Sequence, residues 1–83
     1  MKSEIGVGII GYGTVGTGVA RVLLDNASLI QRRVGVPIKL VGIADLDILR
    51  DRGLLLPPGI LTTRAKDIIE NPYVDVVVEL IGV

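Results

Sequence analysis

The sequence predicts an α/β fold with a parallel β-sheet, roughly the first half of a doubly wound domain. Hydrophobic residues make up 49% of the 83 residues, and most are Val, Ile or Leu, a composition typical of parallel strands buried on both faces. Strand-like segments alternate with helical patterns, and a glycine-rich turn joins the first strand to the first helix. Right-handed crossovers between parallel strands then lay the helices on the faces of the sheet.

The first three elements follow from apolar patterns and helix-ending residues. Residues 5–10 are typical of a buried strand whose small residues allow close neighbours. The helix after it is predicted to continue to Arg33 and to end at Gly35, where glycine can adopt a left-handed cap. Residues 38–44 then form a second, β-branched strand.

One face of this first helix is expected to pack on the sheet. Its apolar residues recur at helical spacing, namely Val15, Val19, Val22, Leu23, Ala27 and Ile30. The residues predicted to face outward are Arg21, Asp25, Gln31 and Arg32.

The second half of the chain is predicted to add two strands and one helix. Residues 47–59 mix charges with a Pro-Pro-Gly turn and are interpreted as an irregular connection. Residues 60–62 form a short third strand, and a helix over residues 64–70 is capped by Thr63. Residues 74–81 are then predicted to be a central strand.

Composition excludes several classes of function. The formal net charge is zero, so no field attracts nucleic acid or anionic lipid. The chain has no Cys and no His, which removes disulfides, thiolate nucleophiles, imidazole bases and the usual zinc sites, and no metal site is expected. No apolar run approaches the roughly 20 residues of a membrane span, so we expect a cytoplasmic protein.

Three glycines between the first strand and the first helix carry the functional signal. Gly11, Gly13 and Gly16 form a Gly-x-Gly-x-x-Gly motif in the context that a dinucleotide site requires, and this predicts a Rossmann-like fold. Gly11 permits the tight turn, Gly13 lets the backbone approach a pyrophosphate, and Gly16 lets the helix lie close to the strand. The alternative is a tight turn that binds no ligand.

The residues between the glycines are assigned to the same site. The amides around Thr14, Val15 and Gly16 are expected to point at the anion, and the helix dipole adds attraction. The hydroxyl of Thr14 can donate a further hydrogen bond. Tyr12 is expected either to cover the cofactor or to face solvent.

Asp45, which ends the second predicted strand, is the second half of the signal. An acidic residue there can accept hydrogen bonds from both ribose hydroxyls of an adenosine. It falls 29 positions after Gly16 instead of about 20, and the extended first helix accounts for the difference. Its charge repels a 2′-phosphate, which favours NAD; NADP is the alternative, since Arg50 and Arg52 follow. An ordinary strand-end turn is the other interpretation of Asp45.

The end of the last predicted strand is the third part of the candidate site. Leu80, Ile81 and Gly82 lie where ligands bind in such sheets, so backbone contact with the nicotinamide ribose is expected. Glu79 interrupts the hydrophobic strand, and a buried carboxylate is costly unless it is paired. The preferred interpretation pairs it with an arginine or backbone amides outside this chain; a place in the site is the alternative.

Taken together, these motifs make the chain resemble the N-terminal part of homoserine dehydrogenases. The matching segments are VGIIGYGTVGTGV (7–19), RRVGVPI (32–38), IAD (43–45) and VDVVVELIG (74–82). The resemblance implies reversible NAD(P)-dependent interconversion of L-homoserine and L-aspartate 4-semialdehyde, in the pathway to threonine and methionine. It also implies that the catalytic lysine and the substrate-binding acids lie beyond Val83, and that the parent protein is a homodimer.

Residues 1–83 are therefore interpreted as the N-terminal part of a dinucleotide-binding domain, with the catalytic and substrate domain outside this chain. The chain supplies about half of a doubly wound sheet, so it is expected to be inactive alone and to need further chain or a partner to cover its sheet edge. The alternative function is a non-catalytic regulatory module in which the same loop senses NAD.

Overall fold

A computed structural model describes residues 3–49, 53–54 and 56–80. Within these ranges the chain forms four strands and three helices, which we number in chain order. The elements are β1 (Ile5–Ile10), α1 (Thr14–Asp25), α2 (Ala27–Val34), β2 (Ile38–Ala44), β3 (Leu61–Thr62), α3 (Ala65–Ile69) and β4 (Val76–Glu79). The bounds of β1 and β2 are those predicted from their apolar runs.

The four strands form one parallel sheet in the order β3-β2-β1-β4. β1 lies in the middle, with Ile10 beside Ala44 of β2 on one side and beside Glu79 of β4 on the other. The predicted α/β class with a parallel sheet is confirmed. The prediction of a central last strand is wrong for this chain, because β4 pairs with β1 alone and lies at one end of the described sheet.

Alternate residues of β1 point into two hydrophobic clusters on opposite faces of the sheet. On one face lies the main cluster, whose buried members are Val7, Ile9, Tyr12, Ala20, Leu40 and Ile43. On the other face Ile10 and Ala44 pack with Ile68 of α3. A β-carbon at Gly8 or Gly42 would overlap the side chain of Ile68, so these glycines allow α3 to pack closely on the sheet.

The first helical segment departs from prediction in its continuity and in part of its buried face. It breaks at Asn26 into α1 and α2. Val19 and Leu23 pack against the main cluster as predicted. Val15 and Val22, also predicted to pack on the sheet, are 48% and 53% exposed, whereas Gly16 and Ala20 are buried. The smallest residues of α1 face the sheet, because they allow the helix backbone to approach the sheet more closely than the valines would.

The other predictions for this helical segment concern the exposure of single residues and the helix end. Ala27, also predicted to pack on the sheet, is exposed, so that prediction is wrong. The four residues predicted to face outward are exposed, as expected, namely Arg21, Asp25, Gln31 and Arg32. The predicted helix end is confirmed, since Gly35 caps α2 with a φ of 96° and its amide donates to the carbonyl of Gln31 at 2.8 Å.

Thr63 is not the cap of α3, as the next residue is its N-cap and the preceding residue supplies the hydroxyl that bonds there. Arg64 is the N-cap and makes no side-chain capping bond. The hydroxyl of Thr62 instead accepts the amide hydrogen of Arg64 at 3.2 Å and donates to the carboxylate of Asp67 at 2.6 Å. Thr62 precedes the turn at the end of β3, where its hydroxyl can reach both groups, so the prediction of Thr63 as the cap is wrong.

The connection between β2 and β3 is irregular wherever the structure describes it, as predicted. Leu54 and Leu56 from this connection pack against the main cluster. In the described ranges, no helix is both long and apolar enough to cross a membrane.

Candidate functional site

The glycine-rich loop and Asp45 meet at the carboxyl ends of β1 and β2. The amide of Gly11 donates to the carbonyl of Ala44 at 2.7 Å, which extends the strand pairing by one bond. The amide of Tyr12 then donates to the carboxylate of Asp45 at 2.6 Å. Two residues that lie 33 positions apart in the sequence are thus joined at one edge of the sheet, as the motif predicts.

The three glycines of the motif differ in their conformation and in the space around them. Gly11 has a φ of 109°, a left-handed conformation that side chains other than glycine rarely adopt. A β-carbon at Gly16 would overlap the carbonyl oxygen of Gly11, so the close contact between helix and loop requires glycine at this position. At Gly13, in contrast, no atom lies within 4 Å of a β-carbon, and the position is exposed. Among the residues that the structure describes, nothing therefore requires glycine at position 13, whereas close approach by a ligand would.

The beginning of α1 presents unbonded amides beside this open position. α1 has no side-chain N-cap bond, and its first amide with a partner in the described chain is that of Thr17, which donates to Gly13 at 2.9 Å. The amides of Thr14, Val15 and Gly16 precede it, as expected for the first turn of a helix. Unbonded amides at the positive end of a helix dipole form an anion-binding geometry.

The carboxylate of Asp45 is fixed by two backbone amides. One oxygen accepts from Tyr12 at 2.6 Å, and the other accepts from Asp47 at 2.9 Å. The backbone of Asp45 is also fixed, because its amide donates to Thr62 of β3 at 3.0 Å. These two amide bonds orient the carboxylate, the group that accepts the ribose hydroxyls at this position of a dinucleotide site.

These two amide donors were not identified from the sequence. The bond from Asp47 closes a turn in which an aspartate accepts the amide two residues ahead, a pattern that the spacing of Asp45 and Asp47 favours. The bond from Tyr12 has no local sequence signal, because it joins two segments that follow different strands.

The side chain of Tyr12 corrects both expectations for that residue. It neither faces solvent nor lies where it could cover a cofactor, since it is 2% exposed and belongs to the main hydrophobic cluster. Its ring packs inward among residues of β1, β2 and α1. Only the backbone of Tyr12 faces the candidate site.

The third part of the candidate site is described only in part. The amide of Leu80 donates to the carbonyl of Ile10 at 2.8 Å, which places Leu80 at the same edge of the sheet, and its side chain is half-buried against the main cluster. Ile81 and Gly82 lie outside the described residues, as do Arg50 and Arg52. Glu79 is exposed in this chain, and its pairing with an arginine or backbone amides outside the chain stays a prediction.

Comparisons with known proteins agree with this geometry. The profile of the family described as "Homoserine dehydrogenase, NAD binding domain" matches residues 11–83. The chain is 40% identical over 78 residues to the homoserine dehydrogenase of Bacillus subtilis, covering 94% of this chain and 18% of that protein. It is 40% identical over 80 residues to the homoserine dehydrogenase of Corynebacterium glutamicum, covering 96% and 18%.

The same family is found among solved structures. A crystal structure of Staphylococcus aureus homoserine dehydrogenase at pH 7.0 aligns with a TM-score of 0.79 and 28% identity, over 92% of this chain and 19% of that one. The structure at pH 6.0 gives a TM-score of 0.81 and 26% identity, over 94% and 20%. The chain thus spans about a fifth of the length of the proteins it matches. The profile match, which covers most of the chain, confirms the predicted family and the nicotinamide dinucleotide as its cofactor: the chain belongs to the NAD-binding domain family of homoserine dehydrogenases.

Proposed function

We propose that these residues bind NAD as part of a homoserine dehydrogenase that interconverts L-homoserine and L-aspartate 4-semialdehyde. One observation supports this most: Gly13 is open to solvent beside the unbonded first amides of α1. In the proposal, the amides of Thr14, Val15 and Gly16 bind the pyrophosphate, and the dipole of α1 adds attraction. Asp45 accepts the hydroxyls of the adenosine ribose.

The same proposal assigns the nicotinamide side to the end of β4. Leu80, Ile81 and Gly82 are proposed to contact the nicotinamide ribose through their backbones, because ligands of such sheets bind at the carboxyl ends of the strands. When bound, the nicotinamide accepts or donates the hydride. We assign no catalytic residue to this chain, and we propose that proton transfer and substrate binding belong to other parts of the enzyme.

NAD is proposed as the preferred cofactor, with NADP as the weaker ligand. The support is the position of Asp45, which two amides hold at the edge where the adenosine ribose would lie. A 2′-phosphate there would meet a fixed negative charge and would also displace the hydroxyl that the carboxylate accepts.

Several properties of the whole enzyme are proposed from family membership. These are catalysis within threonine and methionine biosynthesis, a homodimeric assembly and a cytoplasmic location, without nucleic-acid or membrane partners. The alternative of a regulatory NAD sensor finds no support, since the matched relatives are named homoserine dehydrogenases. The complete sequence discriminates between the two, because an enzyme requires a substrate domain.

Calorimetric titration with NAD tests the proposal, using the complete polypeptide in which this sequence occurs. Gly13→Val should abolish binding, because its side chain would fill the place of the pyrophosphate, whereas the fold should tolerate it in open space. Gly18→Val is the matched control: a β-carbon there also meets no atom within 4 Å, but the position faces away from the loop on α1. If Gly13→Val binds NAD as tightly as Gly18→Val does, the proposed site is wrong.

A further inference from the structure

Tyr12 is the middle residue of a loop segment whose other two members have no side chain. Gly11 and Gly13 flank it, so its ring is the one side chain by which this segment packs into the core, beside the backbone bond from Gly11 to Ala44. That ring is 2% exposed and packs among the side chains of the main cluster, which include Ala20 of α1 and Ile43 of β2. Burial of this ring therefore acts together with the backbone bond of Gly11 in fixing the loop at the end of β1.

The backbone of the same residue holds the acidic group of the site. The amide of Tyr12 donates to one oxygen of Asp45 at 2.6 Å, and the amide of Asp47 donates to the other at 2.9 Å. The bond from Asp47 lies within one turn, so it does not fix Asp45 relative to other parts of the chain. The bond from Tyr12 joins the carboxylate to the glycine-rich loop, and so helps to set its position relative to the loop amides.

We propose that Tyr12 is a positioning residue that sets the preference for NAD over NADP through Asp45. Burial of its ring fixes its amide, and that amide fixes the carboxylate where it accepts the ribose hydroxyls and repels a 2′-phosphate. This inference rests on the proposed function and adds the source of the selectivity, which lies in a side chain that touches no cofactor. Without the buried ring, the amide of Tyr12 would hold its oxygen of the carboxylate less firmly.

The test compares the affinities of the complete polypeptide for NAD and for NADP in three variants. Tyr12→Ala should lower the ratio of NAD to NADP affinity by about tenfold, the usual effect of losing one hydrogen bond to a charged group. Tyr12→Phe keeps the buried ring and should hold the ratio within about twofold of the original. Leu40→Ala removes a buried side chain from the same cluster, distant from the loop along β2, and should lower the melting temperature without changing the ratio.

Each outcome supports or contradicts the positioning role of Tyr12. An unchanged ratio in Tyr12→Ala, or an equal fall in Leu40→Ala, contradicts a positioning effect, and a fall in Tyr12→Phe equal to that in Tyr12→Ala contradicts anchoring by the ring. If Tyr12→Ala does not fold, Tyr12→Leu takes its place with an expected fall of about threefold, and an unchanged ratio there is equally contradictory. Failure of the original protein to bind either dinucleotide would refute the proposed function instead, so the two failures are distinguishable.

Discussion

The carbonyl oxygen of Gly11 occupies the place that a β-carbon of residue 16 would need. This contact brings the first turn of α1 against the loop that precedes it, and it sets the rotation of the helix about its axis. Gly16 and, one turn later, Ala20 consequently face the sheet, while Val15 and Val22 are left exposed. The contact therefore links the geometry of the candidate phosphate loop to the packing of the helix behind it.

Gly16→Ala should destabilise the domain by about 1–3 kcal/mol, because the added methyl group forces backbone atoms apart. The displaced loop should also bind NAD more weakly. Chemical denaturation measures the first effect and calorimetric titration the second.

Gly18→Ala is the control for that substitution. It lies in the same helix, where a β-carbon meets no atom within 4 Å, and should stabilise α1 by up to about 1 kcal/mol with unchanged NAD affinity. Equal stability of the two variants would show that the contact between Gly11 and Gly16 is not close in solution.

Asp45→Asn should reduce NAD affinity by about tenfold and NADP affinity by less, since the charge that binds the hydroxyls also repels the phosphate. Asp47→Asn removes the same charge two residues away but keeps its backbone amide on Asp45, so the affinity ratio should stay unchanged. Titration of both variants with both dinucleotides measures this. The assignment of Asp45 to the ribose is wrong if the two variants respond alike.

Thr62→Val should cost about 0.5–1.5 kcal/mol of folding free energy, because its hydroxyl bonds both Arg64 and Asp67 at the start of α3. Thr63→Val, one residue later, should change stability by less than about 0.5 kcal/mol, as is usual for an exposed position. Urea denaturation of the pair provides the comparison. A larger cost for Thr63→Val would restore the original prediction of the cap.

Much of this fold was predictable because its signals are local. The bounds of β1 and β2 follow from unbroken apolar runs, and the end of α2 follows from a glycine that can adopt a positive φ. The order of the elements along the chain then leaves few arrangements other than a parallel sheet. The glycine spacing, read after a strand and before a helix, likewise identified the place of the candidate site.

Other features depended on contacts between distant parts of the chain. Apolar residues cover more than one face of α1, so the helical period alone could not say whether Val15 or Gly16 faces the sheet. The steric contact with Gly11 decided it. The edge position of β4 could not be predicted either, because an apolar strand has the same pattern in the middle of a sheet and beside a neighbour outside the chain.

The sequence by itself determined which residue types stand at the carboxyl ends of the strands: glycines after β1 and an aspartate after β2. Only the tertiary structure decided that Tyr12 turns its ring into the core and its amide toward Asp45. The physical reason is that a hydrogen bond between residues far apart in the sequence depends on their distance in space, which a linear pattern does not specify.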